Sequence, residues 1–374
     1  MRIGIAAGLG AGRRGGVETY ARELVSALVR HSSRPEHEVV RVERPAGADG
    51  AALRARRALY AFTGWAPGPD AVARQVDALG LDVVHYPATE LPEFKLRTPA
   101  VLTFFDMQEE FLPAFFTWRA RRARAAAHRA AVGKAEQVVV PSRFTGECLR
   151  ARYGTPAAKI HHVPVGVADA FAPAGEADEG GRVRARYGIP FQDFVLYPAN
   201  PWAHKNHERL FAALRGLHQD GLSMPIVCTG RLAGEGRDVA ALARSAGLPP
   251  DLLRDAGFVA ADDMPALYRA ARALVFPSLF EGFGMPVLEA MACGCPVACA
   301  RIPALLEVGG QAVRTFDPLS VGEMAAALRE VWQDQPLRER LRPDGQRRAA
   351  EYRWPRVVPD LLRVYALAAR RTEA

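Results

Sequence analysis

The chain has 374 residues, 49% of them hydrophobic, with a formal net charge of +8, and that length asks for two hydrophobic cores more readily than one. No run approaches the roughly 18 consecutive apolar residues that a membrane-spanning helix needs, and the apolar patch at residues 3–11 is glycine-rich with Arg13 and Arg14 close behind, which suits a strand and loop better than a leader peptide. Five cysteines, at positions 148, 228, 293, 295 and 299, give no paired framework and only four of the 49 basic residues are lysines, which favours a cytoplasmic setting and an arginine-rich composition over a nucleic-acid footprint.

Residues 2–7 read as a short buried strand. Residues 17–31 read as a helix, because Val17, Tyr20, Ala21, Leu24 and Leu28 recur at helical spacing. Between them lies Gly8-Leu-Gly10-Ala-Gly12-Arg-Arg-Gly15-Gly16. Gly10-x-Gly12-x-x-Gly15 matches the dinucleotide fingerprint in a strand-to-helix setting, and a strand at 38–42 ends in Glu43, a passable ribose-binding acid. A nicotinamide-linked dehydrogenase is therefore one reading. Residues 45–80 are rich in Ala, Arg, Gly and Pro and suit a loop with one or two helices. Residues 82–85 and 100–106 read as buried strands ending in polar or aromatic groups, where open α/β sheets place ligands. The cluster Arg119, Arg121, Arg122, Arg124, His128 and Arg129 is helical by propensity. A solvated helix face is the commoner outcome for such a run; contact with an anionic membrane surface at the inner face of the membrane, or with an anionic acceptor, is the other. A strand at 137–141, a helix to Tyr153 and a strand at 159–167 complete the first series; His161 and His162 are candidate ligands there, but in-out alternation along a strand explains them adequately.

Residues 169–181 lose periodicity and read as a linker. A second α/β series follows, with strands near 194–198, 225–229, 253–258, 273–277 and 296–300 and helices between them, as a parallel sheet requires. The expected division is 1–168, a linker at 169–181, 182–355, and a last amphipathic helix from 356, with Leu361, Leu362, Tyr365 and Ala369 along its apolar stripe. Tyr197-Pro-Ala-Asn200-Pro-Trp-Ala-His204-Lys205-Asn206-His207-Glu208 follows a strand and opens a helix, again at a ligand edge. Farther on, Phe276-Pro-Ser-Leu-Phe-Glu281-Gly282-Phe283-Gly284-Met285-Pro286-Val-Leu-Glu289-Ala-Met-Ala-Cys-Gly294-Cys-Pro-Val297 reads as strand, glycine loop, helix and strand. Pro286 suits a first helical turn and Gly294 a helix end. Two carboxylates beside the free N–H groups of a helix start suit a ligand that carries both hydroxyls and phosphates, although a Glu at such a place is also a plain dipole partner. Cys293-Gly-Cys295 lacks a second pair or a nearby His, so small buried residues explain it better than a metal.

The Glu281-x7-Glu289 segment resembles the signature of family 4 retaining glycosyltransferases, the "glycosyl transferases group 1" type with GT-B architecture, over more than twenty consecutive positions. The resemblance implies two Rossmann-like α/β domains facing across a cleft, the first on the acceptor side and the second binding a nucleotide sugar, with the last helix crossing back to the first domain. It implies that Glu281 binds donor-sugar hydroxyls, that Glu289 binds the ribose, and that Gly282, Phe283, Gly284 and Met285 border the donor. Lys205 is similar to the family's lysine on the donor diphosphate; Asn200 stands where a second basic residue is common, so His204 or Arg231 is a candidate for that contact. Gly15 and Gly16 resemble the family's N-terminal loop, with Gly15 on the acceptor side and Gly16 toward the donor phosphates. Phe105, Asp106 and Glu110 fall in a segment that normally carries His-Asp, and Phe105 stands where that His is expected. The His contacts a 6-hydroxyl in the family, so its replacement suggests a 6-deoxysugar donor.

No Asp-x-Asp occurs anywhere in the chain, so no metal and no other cofactor is expected, and Lys205 with the helix start after Gly284 is the expected substitute. The reaction these readings favour moves a hexosyl or deoxyhexosyl group, with retention, from a nucleoside diphosphate sugar to a glycan, a lipid-linked glycan or a small molecule. A sugar-nucleotide epimerase or glycan phosphorylase of similar fold is the alternative, ahead of the dehydrogenase.

Overall fold

The computed structural model describes residues 1–6, 16–31, 37–43, 55, 59, 71–91, 96–230 and 238–370. The chain divides into two compact units, Met1–Gly166 with Trp354–Ala374, and Val167–Arg353.

In the first unit β1 (Arg2–Ile5), β2 (Glu38–Arg41), β3 (Val83–Tyr86), β4 (Ala100–Thr103), β5 (Gln137–Val140) and β6 (Ile160–His162) form one parallel sheet in the order β2-β1-β3-β4-β5-β6. Every residue of β3, β4 and β5 is buried, as strands covered on both faces must be. The helix Gly16–His31 turns Tyr20, Ala21, Leu24, Ala27 and Leu28 inward, while Val17 stays 44% exposed. The last helix, Trp354–Arg370, belongs to this unit and buries Trp354, Val357, Val358, Leu361, Val364, Tyr365 and Ala368. Leu362 and Ala369, expected on its apolar stripe, are only half-buried; Val364 and Ala368 take the inward places.

Tyr365 fixes that helix to the sheet. Its hydroxyl lies 2.7 Å from His85 Nδ1, His85 Nε2 lies 2.7 Å from Thr103 Oγ1, and Thr103 Oγ1 lies 3.3 Å from the Tyr20 hydroxyl. Burial pushes the His85 imidazole down to about 3. It is therefore neutral, with one nitrogen donating and the other accepting. His161, considered above, is held by Gln137 at 2.7 Å.

In the second unit β7 (Val195–Pro198), β8 (Ile226–Thr229), β9 (Leu253–Asp255), β10 (Ala273–Phe276), β11 (Val297–Ala300) and β12 (Arg314–Phe316) are parallel in the order β12-β11-β10-β7-β8-β9. The chain runs outward from β7 to β9, then crosses back and runs outward again from β10 to β12. The strand order thus reverses between β7 and β10, the place where doubly wound sheets open a ligand crevice at the strands' carboxyl ends. The stretch 169–181 packs on this unit: Arg353 donates to the Ala168 and Phe171 carbonyls at 2.8 and 2.7 Å, and Arg269 forks onto Glu179. Glu179 opens the helix Glu179–Arg186, so an element begins inside the span read as a linker.

Candidate active site

The loops leaving β7 and β10 carry the chemistry. After β7 the chain makes a single 3₁₀ turn, Ala203–Lys205, and then the helix His207–Gln219. Asn206 joins the two with φ 65, a left-handed conformation that asparagine accepts better than most residues. Its amide donates to the Pro277 carbonyl at 3.0 Å and the Pro318 carbonyl at 2.8 Å, and the Leu279 N–H donates to the His204 carbonyl at 2.8 Å. The bonds to Pro277 and from Leu279 tie the β7 loop to the β10 loop, and the bond to Pro318 ties it to the chain just past β12, Arg314–Phe316.

Lys205 is brought onto Glu281 by that tie. Nζ lies 2.5 Å from Glu281 Oε1, both side chains are nearly withdrawn from water at 13% and 15% exposure, and the ammonium stands 5.1 Å from the centre of the Phe276 ring. The Tyr197 hydroxyl donates to the Lys205 carbonyl and holds the turn from beneath. Burial alone would push the Glu281 carboxyl up; the Lys205 ammonium and the neighbouring His204 outweigh it and hold the group below the usual carboxylate range. It is therefore ionised at neutral pH.

Gly284 opens the helix Met285–Ala292 with φ 120; only glycine adopts that conformation readily, and a Cβ there would clash with Leu305. In its first turn Pro286 has no N–H and the Val287 N–H donates to the Gly284 carbonyl at 3.0 Å, which leaves the Met285 N–H without a helical partner. Glu289, on the same helix, does not pair with Glu281's lysine. Its Oε2 accepts from the Tyr268 hydroxyl at 2.7 Å, and Tyr268 is fully buried. Phe283 is buried with its ring 5.9 Å from that of Tyr352, so its side chain is spent on packing. Gly282 is buried and Met285 half-buried in the same loop. Asn200 is half-buried and its carbonyl accepts from the Trp202 N–H at 2.8 Å. Gly230, beyond β8, has φ 149, and a Cβ would stand 2.9 Å from the Ala199 carbonyl oxygen; the β8 loop can approach the β7 loop only as glycine. Arg231 lies outside the described residues.

In the first unit Gly16 begins its helix and is exposed, whereas Gly10, Gly12 and Gly15 lie outside the described residues. Phe105 is half-buried and meets Tyr20 edge-on, centroids 5.2 Å apart, while its N–H donates to Thr89 Oγ1 at 3.1 Å. Asp106 Oδ1 accepts from the Gln108 N–H at 3.3 Å and Glu110 is half-buried. Glu109, not singled out in the sequence, is the buried acid of this segment. It pairs with His128 Nδ1 at 2.8 Å and Arg124 Nε at 3.1 Å, and although burial opposes it, the bond to His128 holds the carboxyl below its usual value. Tyr268 and Trp202 also went unremarked. Tyr268 is silent in sequence because its partner lies 21 residues away. Trp202, 45% exposed with its ring 5.7 Å from His204, had a signal: an aromatic three residues before Lys205 in a strand-to-helix loop.

Two doubly wound parallel sheets, the second with a lysine and two acids at its switch point, define a GT-B type α/β protein. The model described as "Glycosyltransferase Family 4" matches residues 14–171 and that described as "Glycosyl transferases group 1" matches residues 184–348. The chain belongs to this family of glycosyltransferases. It is 29% identical over 287 residues to the O-antigen chain mannosyltransferase B of Escherichia coli, covering 76% of this chain and 74% of that protein. It is 31% identical to a D-inositol 3-phosphate glycosyltransferase of Salinispora arenicola, but there the match covers 66% of this chain and only 58% of that protein. Among solved structures, sucrose-phosphate synthase from Thermosynechococcus elongatus superposes with a TM-score of 0.75 at 18% identity, covering 98% of each chain. Anabaena HepE in complex with UDP and glucose gives a TM-score of 0.73 at 18% identity, covering 98% of this chain and 99% of that one.

Proposed function

We propose that the chain moves a glycosyl group from a nucleoside diphosphate sugar to an acceptor hydroxyl, with retention at the anomeric carbon and without a metal ion. The Lys205–Glu281 pair at the β7/β10 switch point carries this reading. Breaking the sugar–phosphate bond shifts negative charge onto the diphosphate, and a fixed cation aimed at the leaving oxygen is the most productive way to lower that barrier. An ammonium has three N–H groups, and among the described residues Glu281 accepts one of them. Lys205 can therefore hold a phosphate oxygen and Glu281 together. The Met285 N–H and the dipole of the helix Met285–Ala292 add a second positive pole. Glu281, ionised, accepts from donor-sugar hydroxyls, and Glu289, oriented by Tyr268, accepts from the ribose.

Attack from the same face as the departing diphosphate needs no carboxylate base, so Asp106 and Glu110 are assigned only to the acceptor side. The mannosyltransferase among the relatives makes a nucleotide mannose the first donor to try. A melting-point screen over UDP-, GDP- and dTDP-sugars identifies the base and sugar, since a ligand that binds only the folded state raises stability by RT ln(1 + [L]/Kd). Transfer by the selected donor is then expected to survive excess EDTA. Loss on chelation with recovery on adding Mn²⁺ would overturn the metal-free assignment.

A further inference from the structure

The helix Trp118–Lys134 carries Arg119, Arg121, Arg122, Arg124, His128, Arg129 and Lys134 and not one Asp or Glu. Its inward side is fixed by buried His128, Ala131 and Val132 and by the contacts of His128 and Arg124 with Glu109. Its start is fixed by Thr117, whose hydroxyl accepts from the Ala120 N–H at 3.2 Å. What remains faces water. At about 100° per residue, Trp118, Arg122 and Arg129 lie within about 40° of one another with Arg119 beside them, and all four are exposed. Trp118 is 64% exposed and Phe115, just before the helix, 44%.

Among the described residues Arg119, Arg121, Arg122 and Arg129 meet no carboxylate. Arg119 stands 5.3 Å from the Trp118 ring centre and Arg129 5.0 Å from that of Tyr153. A face kept only for solubility mixes both charge signs and hides its indoles. Here Trp118 opens the helix with Phe115 exposed just before it, and Arg122 and Arg129 follow on the face of Trp118 with no acid among them. That is the pattern of a helix lying flat on a charged lipid surface, with rings at headgroup level and cations on phosphates. A nucleic-acid strand would ask instead for a groove that tracks its backbone, and a convex helix face supplies none.

We propose that this face docks on an anionic lipid bilayer, Phe115 and Trp118 entering the headgroup region while Arg119, Arg122 and Arg129 pair with lipid phosphates. The proposal does not rest on the transfer reaction.

The test is co-sedimentation of the full chain with vesicles of phosphatidylcholine alone and of phosphatidylcholine containing roughly 30% phosphatidylglycerol, the latter providing the negative surface potential. Binding is expected only to the anionic vesicles and is expected to weaken about tenfold or more at high salt, where screening shortens the field. Reversing Arg119, Arg122 and Arg129 to Glu together is expected to weaken binding at least about tenfold. Trp118→Ser, at an exposed position that cannot threaten folding, is expected to weaken it several-fold while leaving melting temperature unchanged. Brominated lipid is expected to quench fluorescence of the wild type and not of Trp118→Phe. Equal binding to both vesicles, binding to neither, binding that survives the triple reversal, or a preference for a single-stranded oligonucleotide that competes the vesicles away would each overturn the proposal.

Discussion

Toward the carboxyl ends of β3 and β4 the first unit places His85 and Thr103, and the second unit, past the ends of β7 and β10, places Lys205 and Glu281. The two pairs sit on sheets of the same design and do opposite things. His85 spends both ring nitrogens inside the unit, on Tyr365 and Thr103, and burial keeps it neutral down to about 3. A network whose donors and acceptors are used up among themselves holds a helix in place and has nothing to offer a ligand. Lys205 and Glu281 are equally withdrawn, yet they are charged and retain hydrogens and lone pairs beyond those that join them. The strand end alone therefore does not make a site; what matters is whether polar groups remain uncommitted there.

The largest effect that separates the two regions is on turnover. Lys205→Ala is expected to lower kcat by about 10²–10³, the scale of removing one preorganised donor at a developing anion. His85→Gln is expected to leave turnover per folded molecule within about twofold, far below that catalytic scale. Because removing the lysine strands a buried carboxylate, Lys205→Ala should also be measured with Glu281→Gln added. Activity of the double variant close to wild type would show that Lys205 serves structure only and would erase the contrast.

The second way to sharpen it is through pH. His85 has a folded value of about 3, below the ordinary value of about 6.5 for an unfolded chain. Between those values the unfolded chain binds more protons, so the contribution of neutral His85 is present above about pH 6.5 and is lost on acidification. By pH 4 the loss amounts to an order of 3 kcal/mol. Glu23 works the other way, since burial pushes it up to about 7 and its penalty builds as pH rises; it is common to both proteins and cancels in a difference. The stability gap between wild type and His85→Gln in denaturant titrations should therefore shrink from pH 7 to pH 4. A gap independent of pH would mean that His85 is not held neutral.

Much of this was legible in the sequence because it is local. The buried strands, the helix Gly16–His31, and the loop that sets Glu281 before Gly284 and Pro286 all follow from spacing and turn chemistry within a few residues. β12 was not, since its three residues, Arg314–Phe316, hold one charge and no alternation to detect. Glu109, beside the Glu110 that the sequence singles out as an acceptor-side candidate, is buried. The two are neighbours, and only the packing of His128 and Arg124, 19 and 15 residues onward, decides which one turns inward. The Tyr268–Glu289 bond is long-range in the same sense.

That bond supports a third prediction, within the second unit. Glu289→Ala is expected to weaken nucleoside diphosphate and sugar nucleotide alike, whereas Glu281→Ala should spare the diphosphate and damage transfer. Tyr268→Phe should copy Glu289→Ala at a smaller scale, about tenfold in nucleotide Kd, the low end for a hydrogen bond to a charged group. Calorimetry giving the reverse order for the two acids would exchange their roles.

The smallest effect returns to the first unit, at Phe105, two residues past the end of β4 and outside the hydrogen bonds of the neutral network. Its ring is half-buried and meets Tyr20 edge-on at 5.2 Å. The resembled family has a histidine at this place, bonded to the donor's 6-hydroxyl. A phenyl ring has no donor or acceptor, so a hydroxyl brought against it loses water without replacement, at about 1–3 kcal/mol, whereas a methyl group gains roughly 0.8 kcal/mol per buried carbon. The hypothesis is that the wild type prefers a 6-deoxyhexose donor over the matched hexose by about tenfold, equivalent to 1.4 kcal/mol, and that Phe105→His narrows the gap. The edge contact with Tyr20 supplies the competing account, in which Phe105 only packs. Packing alone predicts that Phe105→His lowers the melting temperature, by the ~0.5–1.5 kcal/mol of a lost aromatic pair, and leaves the donor ratio where it was. Competition between the two donors on both proteins decides: a wild type that uses the hydroxylated sugar as well or better returns Phe105 to the structural half of the comparison.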